Sequence, residues 1–243
     1  MNYDRYKAIL RDANTIFTSD IAGAEMTVLH DDGLYRHIRF KGSGFTWFDL
    51  VTWPGNLTVK GSHGTYTFSR ETDMFGFFRQ SNGVNVDYWA EKTPDGRQSV
   101  KVYSEEATTK RLVEVYTEHG RQVDELQARY EVDLSTWKVT PPDQRYPRAW
   151  QGVREPVKPK TVAELRREVA EARRDGELSY EDGARRFLAD WESVDIVSGV
   201  YEWDLREYDF HFVWSCHAIA WGIRQYDAVK AAPVGELVEA VAR

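Results

Sequence analysis

The sequence predicts an α+β protein: an N-terminal antiparallel β-meander packed with helices, followed by a helical C-terminal region. Short strand-like runs alternate with glycine-bearing turns over residues 25–69. Apolar residues then recur at helical spacing from Glu105 onward. Five of the eight prolines fall between Thr140 and Lys160, which reads as a connector rather than an element interior. The expected organisation is an α+β domain over 1–140, a proline-rich connector over 141–160 and a helical region over 161–243.

Ile9, Leu10, Ala13, Ile16 and Phe17 share one helical face, so a short helix opens the chain and ends near residue 22. Strands are expected over Glu25–His30, Leu34–Phe40, Phe45–Trp53, Leu57–Lys60 and Thr65–Ser69. The turns between them carry Asp31-Asp32-Gly33, Lys41-Gly42-Ser43-Gly44, Pro54-Gly55-Asn56 and Gly61-Ser62-His63-Gly64. Period-two alternation buries Ile38, Phe40, Phe48, Leu50, Leu57, Val59, Tyr66 and Phe68. It turns Tyr35, His37, Arg39, Trp47, Asp49, Thr58, Lys60, Thr65 and Thr67 the other way. That second side is either a ligand-holding face, a solvated surface or one partly covered by a helix.

Thr72-Asp73 caps a short helix over Met74–Gln80 whose phenylalanines dock on the sheet, and Ser81–Val86 reads as loop. Ser99–Tyr103 reads as a strand, and Glu105 to about Val132 as the longest helix, with Gly120 a point of interruption. Tyr146 and Trp150 offer anchors should the proline-rich stretch wrap over the first half. Thr161 and Glu164 have capping-box spacing for a helix ending near Asp175-Gly176, and Ser179 caps another through Trp191. The segment from Glu207 to Tyr226 is apolar nearly all round, which suits a buried helix at the centre of the C-terminal half.

Composition excludes several classes. With 32 basic and 39 acidic side chains the net charge is −7, unsuited to coating phosphate backbones and without the long acidic runs of a nucleic-acid mimic. No apolar run reaches membrane-spanning length, no signal-peptide pattern opens the chain, and the lone cysteine, Cys216, fits a reducing compartment. Aromatic residues are abundant at 14%, nine of them tryptophan, enough for both core and interface anchors.

Catalytic signatures are missing. The glycine turns at 42–44 and 61–64 lack the strand–loop–helix setting of a phosphate loop. His211 and His217 are six residues apart, about 120° around a helix, so with Cys216 they make a poor metal set. No nucleophile elbow is present. A His37–Asp49 pair across adjacent strands is the one acid–base arrangement the sheet could assemble. The arginine doublets at 166–167, 173–174 and 185–186 either touch phosphates or line a solvated face.

The runs HDDGLYRHIRF (30–40), FDLVTWPGNLTVKG (48–61), GTYTFSR (64–70), DMFGFFR (73–79) and FVWSCHAIAWGIRQYD (212–227) together resemble a family of uncharacterised tailed-bacteriophage proteins. Where such proteins often carry Gly-Asp before the Gly-Thr-Tyr strand, this chain has Gly61-Ser62-His63, so no role for that acid carries over. The resemblance implies a viral origin and action in the bacterial host cytoplasm, and implies no catalytic residues. The expected function is that of a phage accessory protein, more a binder than an enzyme. It would inhibit a host defence system by gripping a defence protein or sequestering a nucleotide signal. Tyr35, His37, Arg39, Trp47 and Asp49 are the expected ligand-binding residues, with no cofactor or metal. The alternatives are an enzyme acting on a nucleotide or nucleic acid, with His37 and Asp49 as partners, and a virion structural or assembly protein.

Overall fold

A computed structural model describes residues 3–42, 44, 46–80, 83–144 and 155–231. The chain forms two compact units, one from Met1–Val102 with Glu207–Arg243 and one from Tyr103–Arg206. This partition differs from the expected 1–140 and 161–243. The long helix expected in the first domain belongs to the second unit, and the C-terminal apolar helix belongs to the first. The anchors Tyr146 and Trp150 lie outside the described residues.

The first unit is built on a five-stranded antiparallel meander in the order β1 (Glu25–Asp32), β2 (Tyr35–Lys41), β3 (Trp47–Trp53), β4 (Asn56–Gly61) and β5 (Gly64–Ser69). Its β1–β2 turn places Gly33 at φ 61°, a left-handed conformation that side chains rarely adopt. Strand parity follows the sequence expectation. Ile38, Phe40, Phe48, Leu50, Leu57, Val59 and Phe68 are all buried on one face, with Tyr66 packed beside them. A bulge between Val28 and His30 resets the alternation in β1.

Helix α1 (Tyr3–Asp20) buries Ala13 and Phe17, and α2 (Met74–Arg79) buries all three of its phenylalanines. Asp73 caps α2 by accepting from the Phe75 amide at 3.1 Å, and Arg36 donates to the same carboxylate at 2.8 Å. A further helix, α3 (Val86–Ala90), follows the stretch read as loop; Asn85 caps it by accepting from the Tyr88 amide. The expected strand over Ser99–Tyr103 shortens to β6 (Lys101–Tyr103) behind a single 3₁₀ turn. It pairs with β7 (Arg206–Tyr208).

The apolar helix, α7 (Phe210–Ala231), lies on the meander instead of centring the C-terminal half. Its lack of a polar face fits that place, with the sheet on one side and α1, α2 and α3 on others. Phe40 and Phe48 stack at 4.7 Å, and Trp221 meets both edge-on. Gly222 permits this approach: a Cβ there would stand 2.9 Å from Leu50 and 3.0 Å from Phe40.

In the second unit, α4 (Glu105–Val139) runs unbroken through Gly120. The glycine serves packing rather than interruption, because a Cβ would come within 2.5 Å of Val162 Cγ2. Helix α5 (Val162–Arg174) begins with the expected capping box, and α6 (Glu181–Ser193) follows. Ser179 does not cap α6; its hydroxyl donates to Glu105 instead. Leu112, Leu165, Val169, Phe187, Leu188 and Trp191 form the core. Arg185 closes the turn after α6 by donating to the Val200 and Trp203 carbonyls, and Arg173 pairs with Glu105. No helix among the described residues is long and apolar enough to cross a membrane.

Candidate functional site

The face of the meander opposite α7 is set by the β2–β3 register, which pairs Arg39 with Asp49, His37 with Val51 and Lys41 with Trp47. Directly opposed residues on one face of an antiparallel pair touch, so the pairing brings a base, a carboxylate and a guanidinium together. Arg39 grips Asp49 through two parallel bonds of 2.8 Å, from Nε to Oδ1 and from Nη2 to Oδ2. His37 Nε2 lies 3.0 Å from Asp49 Oδ2. Since an ionised carboxylate only accepts, Nε2 carries the proton of that bond. The Arg39 guanidinium also lies over the Trp47 ring, 5.3 Å from its centroid.

Asp49 is only 6% exposed beneath these side chains. Burial pushes its carboxyl up, but the hydrogen bonds from Arg39 and His37 outweigh burial and hold it below the usual carboxylate range. The hydrogen bond to Asp49 in turn raises Arg39. Asp49 and Arg39 are thus an ion pair held in one geometry, with His37 and Trp47 beside them at the surface edge.

Four of the five expected residues therefore meet, and the fifth stands at the far end of the same face. Tyr35 is 54% exposed, and the Arg36–Thr52 pairing sets its strand end beside that of Trp53, itself 38% exposed. Val51, between Asp49 and Trp53, completes an apolar patch that continues from the ionic triad. Trp53, Val51 and Lys41 were not among the expected residues, although the same alternation that named Trp47 and Asp49 also names 51 and 53. Lys60 pairs with Asp49 across β3–β4, and Thr58 shares a 2.9 Å hydrogen bond with Thr67. The carboxylate that Arg39 holds is the chain's own Asp49.

Other candidates carry less. Among the described residues no three or more His, Cys, Asp or Glu side chains converge as a metal set. Burial drives the Cys216 thiol far above its ordinary value and lowers His217. The second unit has a groove of about 670 Å³ along α4, lined in part by Arg111, Gln122, Asp195, Ser198 and Trp203. Arg111 lies over Trp203 at 4.8 Å and donates to Glu114, so its charge is matched locally.

Fold and face define an α+β protein with an aromatic and ionic sheet surface on a well-packed core. No protein-family model, no curated protein and no solved structure matches the chain.

Proposed function

We propose that the protein acts by binding, through the sheet face that carries Tyr35, His37, Arg39, Trp47, Asp49, Val51 and Trp53. In the setting that the bacteriophage resemblance implies, it is an accessory protein working in the host cytoplasm. There it blocks a defence system by gripping a defence protein or sequestering a nucleotide signal. One observation supports this most: an arginine held by a buried carboxylate and laid over tryptophan, beside a partly exposed Tyr–Val–Trp patch. Arginine, tryptophan and tyrosine are the residues that dominate binding energy at interfaces, and here Asp49 and Trp47 already restrain the Arg39 rotamer.

The test is recovery of the tagged protein from infected cells, with mass spectrometry of co-purifying proteins and small molecules. Trp47→Ala and Arg39→Ala should each weaken retention of the same species by about thirtyfold or more, as loss of a hot spot of at least ~2 kcal/mol implies. Wild-type retention by both variants would remove this face from consideration.

The 3.0 Å His37–Asp49 bond favours a second reading, an enzyme acting on a nucleotide or nucleic acid with His37 as general base. It predicts turnover that vanishes in His37→Ala. A binder instead yields stoichiometric depletion, with the ligand recoverable intact after denaturation.

A further inference from the structure

A second cluster in the same unit lies at the turn joining β4 to β5. His63, in that turn, and His211, in the first turn of α7, place their Nδ1 atoms 2.9 Å apart. The His63 ring also rests 4.1 Å from the Trp214 ring, and its other nitrogen, Nε2, lies 3.7 Å from Asp20 Oδ2 at the end of α1. Asp20 Oδ2 accepts the Trp214 indole N–H at 2.9 Å. His63 therefore has a second imidazole at Nδ1 and a carboxylate near Nε2.

A hydrogen bond between two imidazole nitrogens requires that one of them be unprotonated. When both rings are charged both Nδ1 atoms are donors, and the bond becomes a repulsion. A charged His63 would then need to move by only about 1 Å to bring the Asp20 contact to the ~2.8 Å of a charge-assisted bond. We propose that His63 is a proton-driven partner-exchange switch, bonded to His211 on α7 when neutral and to Asp20 on α1 when charged.

The surroundings are consistent with the neutral state at neutral pH. Burial and the neighbouring His211 lower His63, and the attraction of Asp20 opposes them less strongly. The other titratable groups close by are Asp209, which accepts from the His211 amide at 2.9 Å, and Tyr66 on β5, which burial and Asp209 push upward. The turn also communicates with the outer face. Ser62 accepts from the Trp47 amide through Oγ at 3.1 Å and donates its own amide to the Trp47 carbonyl at 3.0 Å. A shift of His63 thus acts on the residue that anchors the Trp47 end of β3. The switch does not depend on what that face binds.

The test is a histidine and tryptophan NMR titration of the full chain from pH 8 to 5. In the wild type, His63 should titrate below the ordinary histidine value. Its protonation should move the Trp214 indole N–H and the Trp47 amide with the same midpoint. His211→Ala, which removes the neutral-state partner, should raise the His63 midpoint. Asp20→Asn, which removes the charged-state partner, should lower the midpoint and abolish the Trp214 response. His63→Gln, with nothing to titrate, should leave both tryptophan signals flat across the His63 range. Midpoints unmoved in His211→Ala and Asp20→Asn, or tryptophan signals that still titrate in His63→Gln, would overturn the proposal.

Discussion

Truncating adjacent residues of β3 should have sharply unequal consequences, because Leu50 and Val51 leave opposite faces of the sheet. Leu50 is fully buried. Leu50→Ala removes about three carbons, roughly 2.4 kcal/mol at ~0.8 kcal/mol per methylene, before any penalty for the void. The wall facing that void is the backbone of α7 at Gly222, where even a Cβ would stand 2.9 Å from Leu50 Cδ1. Glycine has no side chain to swing into the space, so the void persists. The expected cost therefore lies in the upper half of the roughly 2–5 kcal/mol range for buried leucine. Val51 sits half-buried on the opposite face, and Val51→Ala should cost no more than about 1 kcal/mol, the span of strand propensity. Equilibrium urea denaturation followed by near-ultraviolet circular dichroism measures both. Equal costs would mean that both faces are covered, and a reversed order would mean that the parity is opposite.

Gly120→Ala should destabilise the second unit despite a helix-propensity gain of about 1 kcal/mol, because the new methyl meets Val162 Cγ2. Adding Val162→Ala should relieve that clash, so a double-mutant cycle should show favourable coupling; additive costs would contradict the packing role. Thr161→Ala removes the hydroxyl that accepts from the Glu164 amide and should cost about 0.5–2 kcal/mol, read from the same denaturation curves. Acid should weaken the first unit through Asp49 and Asp73. Burial opposes ionisation at both, but hydrogen bonds, from Arg39 and His37 at Asp49 and from Arg36 at Asp73, hold them below their ordinary value of 3.8. The unfolded chain then binds more protons as pH falls, so this contribution is complete above the ordinary value and lost on passing down through the lowered one. Urea midpoints that fall below pH 4 in the wild type but less steeply in Asp49→Asn would agree; identical acid limbs would not.

The period-two pattern of the meander identified its buried face in advance, since each inward residue from Ile38 to Phe68 obeys a purely local rule. That rule also put His37, Arg39, Trp47 and Asp49 on one side. It could not say that Arg39 opposes Asp49, because register depends on how the β2–β3 connection closes, and several closures suit a turn of that length. The destination of α7 was illegible for a related reason. A helix apolar all round must be buried, but its sequence does not say against what, and the covering sheet lies more than 140 residues away. Gly120 misled because helix propensity is local while its contact with Val162 is not. Asn85 is a local signal within a stretch whose composition suggests loop: an N-cap residue three positions before the amide it accepts from. The His63–His211 contact joins a turn to a helix 148 residues on, and no spacing rule reaches that far.

The central claim, that the protein works through the outer side of its meander, is tested most directly by photo-crosslinking in infected cells. One protein carries the photoreactive residue at position 51, amid that side, and another carries it at position 229, exposed on α7. A discrete crosslinked species from position 51, absent from position 229 and lost on adding Trp47→Ala, is the predicted result. Crosslinking from 229 with none from 51 would place the working surface elsewhere.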